Sequence, residues 1–287
     1  MLILELIAQG LVQGSIYALI ALGLTLVYGL LRILHVAHAA VFTMGAYIGC
    51  ILANEFGGLI IAIPGAMIVS GLAGMAMFRL CYQPILTQPP FVPLIASIGL
   101  YIASEEIFRI VFGASGLTYL APPLQGQVVL FGTFRFKLAE IAVMVGAAGI
   151  IAILGYLQTR TRMGISCQAT VSDPEMAESF GISLQKVRYL IFFVGSSLAG
   201  LAGVMVSILN NLVEPTMGSV PSYKSLAIIV LGGLGSVRGT LLASLVLGVI
   251  ESFGTIYLGK ILDRNAIAFA FLILVLMFRP QGLFTRK

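Results

Sequence analysis

The chain has 287 residues, of which 59% are hydrophobic and 9% charged, with 33 glycines and a formal net charge of +5; its mean hydropathy is +1.07. Soluble domains carry about a quarter of their residues as charges, so this composition excludes one and indicates an integral membrane protein. The basic excess does not indicate nucleic acid, because Lys and Arg are dispersed among short connections without interleaved aromatics, a pattern better explained by membrane orientation.

Apolar runs fall at 5–29, 38–54, 57–78, 91–112, 139–157, 189–212, 225–258 and 265–278, against a need for about 20 apolar residues per helical span. No series of alternating segments of about ten residues, the mark of a membrane barrel, is present. The expected fold is therefore an all-α integral membrane protein, a polytopic helical bundle of about eight apolar segments with broken or re-entrant helices, forming a single transmembrane domain over 1–287. The first run begins at Leu2 with no preceding Lys or Arg, includes Glu5 and outlasts a signal-peptide core, which predicts a retained span.

Next comes LRILHVAHAAVFTMG, residues 31–45, which holds Arg32 and both histidines, His35 and His38. Polar groups between two apolar helices need a water-facing turn or a polar path through lipid. Spaced three apart, the histidines would share a helical face. With no Cys, Asp or Glu beside them they do not complete a metal shell, and no metal site is expected. They read as hydrogen-bonded imidazoles at a helix break, with His38 and Thr43 lining the path at the restart and His35 and Arg32 towards the cytoplasmic mouth. The cysteines, Cys50, Cys81 and Cys167, are widely spaced with no C-x-x-C, and read as small apolar fillers. Glu105, Glu106 and Arg109 read as interfacial charges that pair locally.

The most polar connection is 158–188, with Arg160, Arg162, Lys186 and Arg188. The positive-inside rule makes it cytoplasmic. Parity then puts Met1 and 113–140 outside and the connection after Arg79 inside. Within this loop Asp173 can cap a helix begun by Pro174, with Glu175 and Glu178 in its early turns and Gly181 as its stop, which predicts a short helix near 174–180. Beyond it, Asn210, Asn211 and Glu214 read as a hydrated loop. The tail, with Arg279, Arg286 and Lys287, should also be cytoplasmic, yet simple crossings after 188 would deliver it outside.

The segment KSLAIIVLGGLGSVRGTLLASLVLGVIESFG resolves this if its break, GGLGSVRG, marks a re-entrant element. Gly232, Gly233, Gly235 and Ser236 would line the path there. Arg238 should face protein, water or the interface rather than lipid, with Glu251 as a possible partner. Arg32 in GLLR and Arg238 in GSVR follow comparable breaks, which suggests an internal repeat of the kind that builds central sites in transporters.

At the level of the whole chain, GLTLVYGLLRILHVAHAAVFTMGAYIG, TRTRMGISCQATVSDPEMAESFGIS, AGLAGVMVSI, VLGGLGSVRGTLLASLVLGVIES and FRPQGLF resemble, in this order, the membrane permeases of branched-chain-amino-acid ABC importers. The resemblance implies a multi-pass subunit of the inner membrane that imports branched-chain or other apolar amino acids. Its implied partners are a second related permease subunit, two cytoplasmic ATPase subunits and an extracytoplasmic solute-binding protein. ATP and Mg would act on the ATPase chains; no cofactor is expected here, and no G-x-x-x-x-G-K-[ST] occurs. The resemblance also makes 158–188 a coupling loop, with Asp173, Pro174, Glu175, Met176, Ala177, Phe180 and Gly181 in the helix that docks on an ATPase. Relatives often read Ala-His-Gly-Glu where this chain has Ala37, His38, Ala39 and Ala40, so urea and short amides stand as alternative solutes. Gln168 also replaces a common basic residue. A secondary transporter would need an ionisable group deep in a span, for which Glu251 is the evident candidate. An intramembrane enzyme would need a motif such as H-E-x-x-H or G-x-S-x-G, and neither occurs.

Overall fold

The computed structural model describes residues 2–130, 134–259, 261–279 and 282–283. Met1, Arg286 and Lys287, used above for orientation, and Pro280, Gln281 and Phe284 of the final motif, lie outside the described residues.

Helix α1 (Leu2–Leu31) has 30 residues, about 45 Å at 1.5 Å per residue, more than the hydrocarbon thickness of about 30 Å. It stops at Arg32, whose φ of 55° is left-handed. The chain then turns back beside α1 without helical structure, and α2 (His38–Phe56) begins inside the bundle. Its first imidazole bonds the Ile20 carbonyl, well short of the end of α1. A left-handed Gly57, φ 67°, turns the chain into α3 (Leu59–Met77). That helix widens into a π turn at Phe78–Tyr82 and then tightens into a 3-10 turn at Gln83–Ile85. Helix α4 (Phe91–Phe112) follows.

The connection after α4 contains a feature the sequence reading missed, an antiparallel hairpin of β1 (Gln127–Leu130) and β2 (Phe134–Lys137), with Val128 opposite Phe136. Helix α5 (Leu138–Arg160) leads into two polar helices, α6 (Arg162–Ser172) and α7 (Pro174–Ser179). The sequence reading anticipated only the second. Thr161 caps α6 by accepting the Gly164 N–H at 3.1 Å. Helix α8 (Leu184–Asn210) ends at left-handed Asn211. Residues 211–218 then descend between other elements, with Val213 and Leu117 exchanging backbone hydrogen bonds of 2.9 and 2.8 Å. The short helices α9 (Ser219–Gly232) and α11 (Arg264–Phe278) flank α10 (Val237–Tyr257). Among the described residues seven helices are long and apolar enough to cross a membrane, and α9 and α11 are shorter.

Two halves of the chain repeat one arrangement in opposite senses. The order α1, break, α2, α3 matches α8, break, α9, α10. In both, the third helix returns along the first helix of the other half: α3 lies on α8 and α10 on α1. The breaks meet inside, where Gly218, just before α9, packs on the Ala39 carbonyl and Thr43 Oγ1 in the first two turns of α2. The counterpart of 32–37 is therefore 211–218, not GGLGSVRG as expected. The latter is a tight α9–α10 turn, with Gly233 at φ 92° and Gly235 at φ 83°, conformations in which a Cβ would be strained. Gly29 of α1 approaches Gly235, and Leu283 N–H bonds the Leu231 carbonyl at 2.7 Å. The tail thus returns to the α9–α10 turn, and α9 and α10 run as two helices joined by that turn where the sequence shows one apolar run over 225–258.

Backbones approach closely where small residues face one another. A Cβ on Gly45 of α2 would overlap the Gly200 backbone of α8, and one on Gly10 of α1 would lie 3.0 Å from the Gly248 carbonyl of α10. Lipid tails are as apolar as Leu, so such contacts and the hydrogen bonds between helices hold the bundle together. Large apolar side chains face outward on α4, α5 and α11, among them Ile95, Ile102, Ile110, Ile153, Ile273 and Met277.

Replacing Gly45 by Leu should therefore force α2 from α8, at a cost of about 1–3 kcal/mol or more. Leu at Gly149, which has no neighbour within 4 Å, should be harmless. Recovery of monodisperse protein after heating in mild detergent checks this; equal recovery of both variants would refute the seam.

Candidate functional site

The two breaks build a buried polar layer. His38 is fully enclosed between α1 and α8, its Nε2 3.2 Å from the Ile20 carbonyl and its ring against Gly23. His35 Nδ1 lies 2.6 Å from the Tyr82 hydroxyl, and its ring packs edge-on against Phe192. The Ala37 N–H donates to Ser97 Oγ at 2.9 Å, so α4 satisfies a backbone group freed by the break. Thr43 bonds back to the Ala39 carbonyl at 3.1 Å. The expectation of hydrogen-bonded imidazoles is met, but both rings and Thr43 are buried within this chain.

The other expected path residues lie elsewhere. Gly232 packs on Gly239, and Ser236 Oγ accepts the Gly239 N–H at 3.1 Å, capping α10. This turn adjoins Gly29, whereas His38 adjoins Ile20. Nine residues of α1 separate those levels, roughly 14 Å. The structure thus places His38 and Thr43 on the first two turns of α2 without contact between them and groups Gly232, Gly233, Gly235 and Ser236, but does not join the two sets. Arg238 is exposed beside the turn.

Glu251 finds a different partner. Lys224 Nζ of α9 stands 2.8 Å from Glu251 Oε1 of α10 and donates to the Tyr17 hydroxyl of α1 at 2.9 Å. Tyr17 in turn donates to Glu251 Oε2 at 2.8 Å. Lys224, Glu251 and Tyr17 are 2%, 1% and 3% exposed, so this closed triad joins three helices away from water. Removing one charge of such a pair typically costs about 3–5 kcal/mol, because the other is left buried alone. Sequence reasoning missed Lys224 because it opens an apolar run and reads as a flanking charge; the signal was its helical spacing within SVPSYKSLAIIV, one turn inside α9. Nearer the α9–α10 turn, Thr25 and Thr240 place their hydroxyls 2.9 Å apart.

At the same end as that turn, α7 forms as its sequence requires. Asp173 Oδ1 accepts the Met176 N–H at 3.0 Å, Pro174 opens the helix, and left-handed Gly181 closes it while Ile182 N–H reaches back to the Ala177 carbonyl at 3.1 Å. Glu175 is exposed in the first turn. Ala177 is 3% exposed and anchors the helix to its own chain, while Met176 at 55% and Phe180 at 79% project outward. Burial raises the Cys167 thiol pKa on α6, which suits an inert filler. At the opposite end, Arg109 pairs with Glu106 at 2.9 Å and Glu105 at 3.3 Å, as expected. Tyr119 donates or accepts with Ser207 at 2.8 Å, and burial pushes its hydroxyl up to about 12.

The profile of the family described as branched-chain amino acid transport system / permease component matches residues 6–278. The high-affinity branched-chain amino acid transport system permease protein LivH of Escherichia coli K12 is 30% identical over 99% of this chain and 96% of its own. BraD of Pseudomonas aeruginosa, named for the same kind of system, has the same identity and coverage. A probable branched-chain amino acid transport permease of Methanocaldococcus jannaschii is 25% identical over 97% of this chain and 92% of its own. Among solved structures, PsaBC from Streptococcus pneumoniae in complex with Fab shares the fold, with a TM-score of 0.53 at 14% identity over 95% of this chain and 91% of that one. A match over nearly the whole length, on a multi-pass helical bundle with two inward-packed breaks, makes this chain a member of the branched-chain amino acid transport system permease family.

Proposed function

We propose that this chain is one of two related permease subunits of an ATP-driven importer in the inner membrane. It passes branched-chain amino acids, delivered by an extracytoplasmic binding protein, to the cytoplasm. ATP and Mg act on separate ATPase subunits. The names of the relatives favour amino acids over urea or short amides. The secondary-transporter alternative loses its one evident coupling group, because Glu251 is tied to Lys224 at 2.8 Å.

The observation that carries this reading is α7: a helix capped at both ends, fixed by buried Ala177 and offering Met176 and Phe180 to the solvent. A permease without a nucleotide site needs a contact that differs between states, since a partner can shift an equilibrium only by differential binding. On this reading α6, α7 and the α9–α10 turn are cytoplasmic, and the hairpin and the end of α8 at Asn211 are extracytoplasmic. His38, Thr43 and the Gly232–Ser236 turn then stand at successive levels of the closed path, and would be exposed by relative motion of the two repeats.

Phe180→Asp puts a charge into the proposed contact without disturbing the side of α7 that packs on its own chain. Reconstituted with its ATPase subunits, this variant should lose solute-stimulated hydrolysis about tenfold or fail to retain the ATPase on purification, with the permease still monodisperse. Wild-type association and stimulated hydrolysis would remove α7 from the coupling role.

Orientation is read separately. In a variant freed of native cysteines, a cysteine at Gln125 should react with membrane-impermeant maleimide in intact cells, and one at Glu178 only after permeabilisation. The reverse pattern would invert the topology.

A further inference from the structure

Beside the buried triad the bundle opens into a cleft of about 190 Å³ between α1, α8, α9 and α11. That is below the roughly 300–1,000 Å³ of a drug-sized site and suits one small solute. Its polar lining is Gln13, Tyr17, Lys224, Arg264 and Asn265, while Ile16, Val206 and Val220 supply an apolar wall. We propose that this cleft is a subsite for an amino acid in transit, its α-carboxylate held by Lys224 and Arg264 and its aliphatic side chain against Ile16, Val206 and Val220. The inference rests on the importer reading above and adds where this chain touches the solute.

The charge arrangement favours a carboxylate. Lys224 and Glu251 cancel at the floor, so Arg264 leaves the lining net positive. Asp263 caps α11, accepting the Asn265 N–H at 3.3 Å, and does not line the cleft. An ammonium carries three donors; that of Lys224 directs one at the Tyr17 hydroxyl, 2.9 Å away, and stands 2.8 Å from Glu251 Oε1 as an ion pair. At least one N–H is left for a ligand, on a residue that is only 2% exposed. Arg264 is exposed at the rim, with Nε 3.5 Å from Thr255 Oγ1, and its terminal nitrogens are available for a paired contact with a carboxylate. The apolar wall supplies what a free carboxylate or phosphate would not use.

The test uses the assembled permease–ATPase complex in proteoliposomes without its binding protein, so that docking plays no part, and L-photo-leucine, whose side-chain diazirine labels what it touches. Adducts mapped by mass spectrometry should fall on Ile16, Val206 or Val220. L-Leucine should displace them, and leucinamide, which lacks the carboxylate, should do so at least tenfold more weakly. Arg264→Gln, at an exposed position that leaves the fold intact, should cut labelling about tenfold, equivalent to ~1.4 kcal/mol, and Arg264→Lys should retain most of it. The inference is overturned by equal competition from leucinamide, by undiminished labelling of Arg264→Gln, or by displacement with anionic lipid but not leucine. Labelling elsewhere in the chain with leucine uptake intact sinks the cleft and leaves the importer reading standing. Neither labelling nor uptake in a complete importer sinks both.

Discussion

The structure depends on backbone-to-backbone contact between helices. Inside a bilayer, leucine gains nothing by leaving lipid for protein, so helices stay together where small residues let main chains touch and where polar groups bond across the gap. The seams of α2 with α8 at Gly45 and Gly200, and of α1 with α10 at Gly10 and Gly248, have this character. They also make the two breaks tolerable. Non-helical backbone at membrane depth must be enclosed by protein, and here it finds Ser97 for the Ala37 N–H and Leu117 for Val213. If the seams were loosened, those groups would face lipid.

Much of this was legible in the sequence because its signals are local. Runs of apolar residues give the spans, and Asp173, Pro174 and Gly181 give α7 through rules that act within a single turn. Glu105, Glu106 and Arg109 announced their pairing by spacing alone. What stayed hidden is non-local. Lys224 and Glu251 stand on different helices, and nothing in either neighbourhood signals the other. The match between 32–37 and 211–218 leaves no common motif, because what repeats is a path through the bundle. GGLGSVRG attracted the comparison by its glycines, which serve a tight turn. Ala177 reads as a contact residue on a helical wheel and becomes an anchor only once α6 and α8 are in place.

The inverted repeat explains the distribution of polar groups. Each half begins with a long helix, breaks, and restarts in the interior, and the restarts of α2 and α9 touch through Gly218, Ala39 and Thr43. Motion between the halves would part these contacts first, and would be felt by the triad, whose Tyr17 belongs to the first half and whose Lys224 and Glu251 belong to the second.

The triad also bears on how the protein is made. Helix α9 has 14 residues, about 21 Å, too short to cross alone, and it carries a lysine whose insertion by itself is penalised by roughly 2.5–3.5 kcal/mol. The counter-charge, Glu251, is synthesised 27 residues later (251 − 224). Helix α9 is therefore expected to insert stably only once α10 supplies Glu251, the two entering as a hairpin against an α1 already in place.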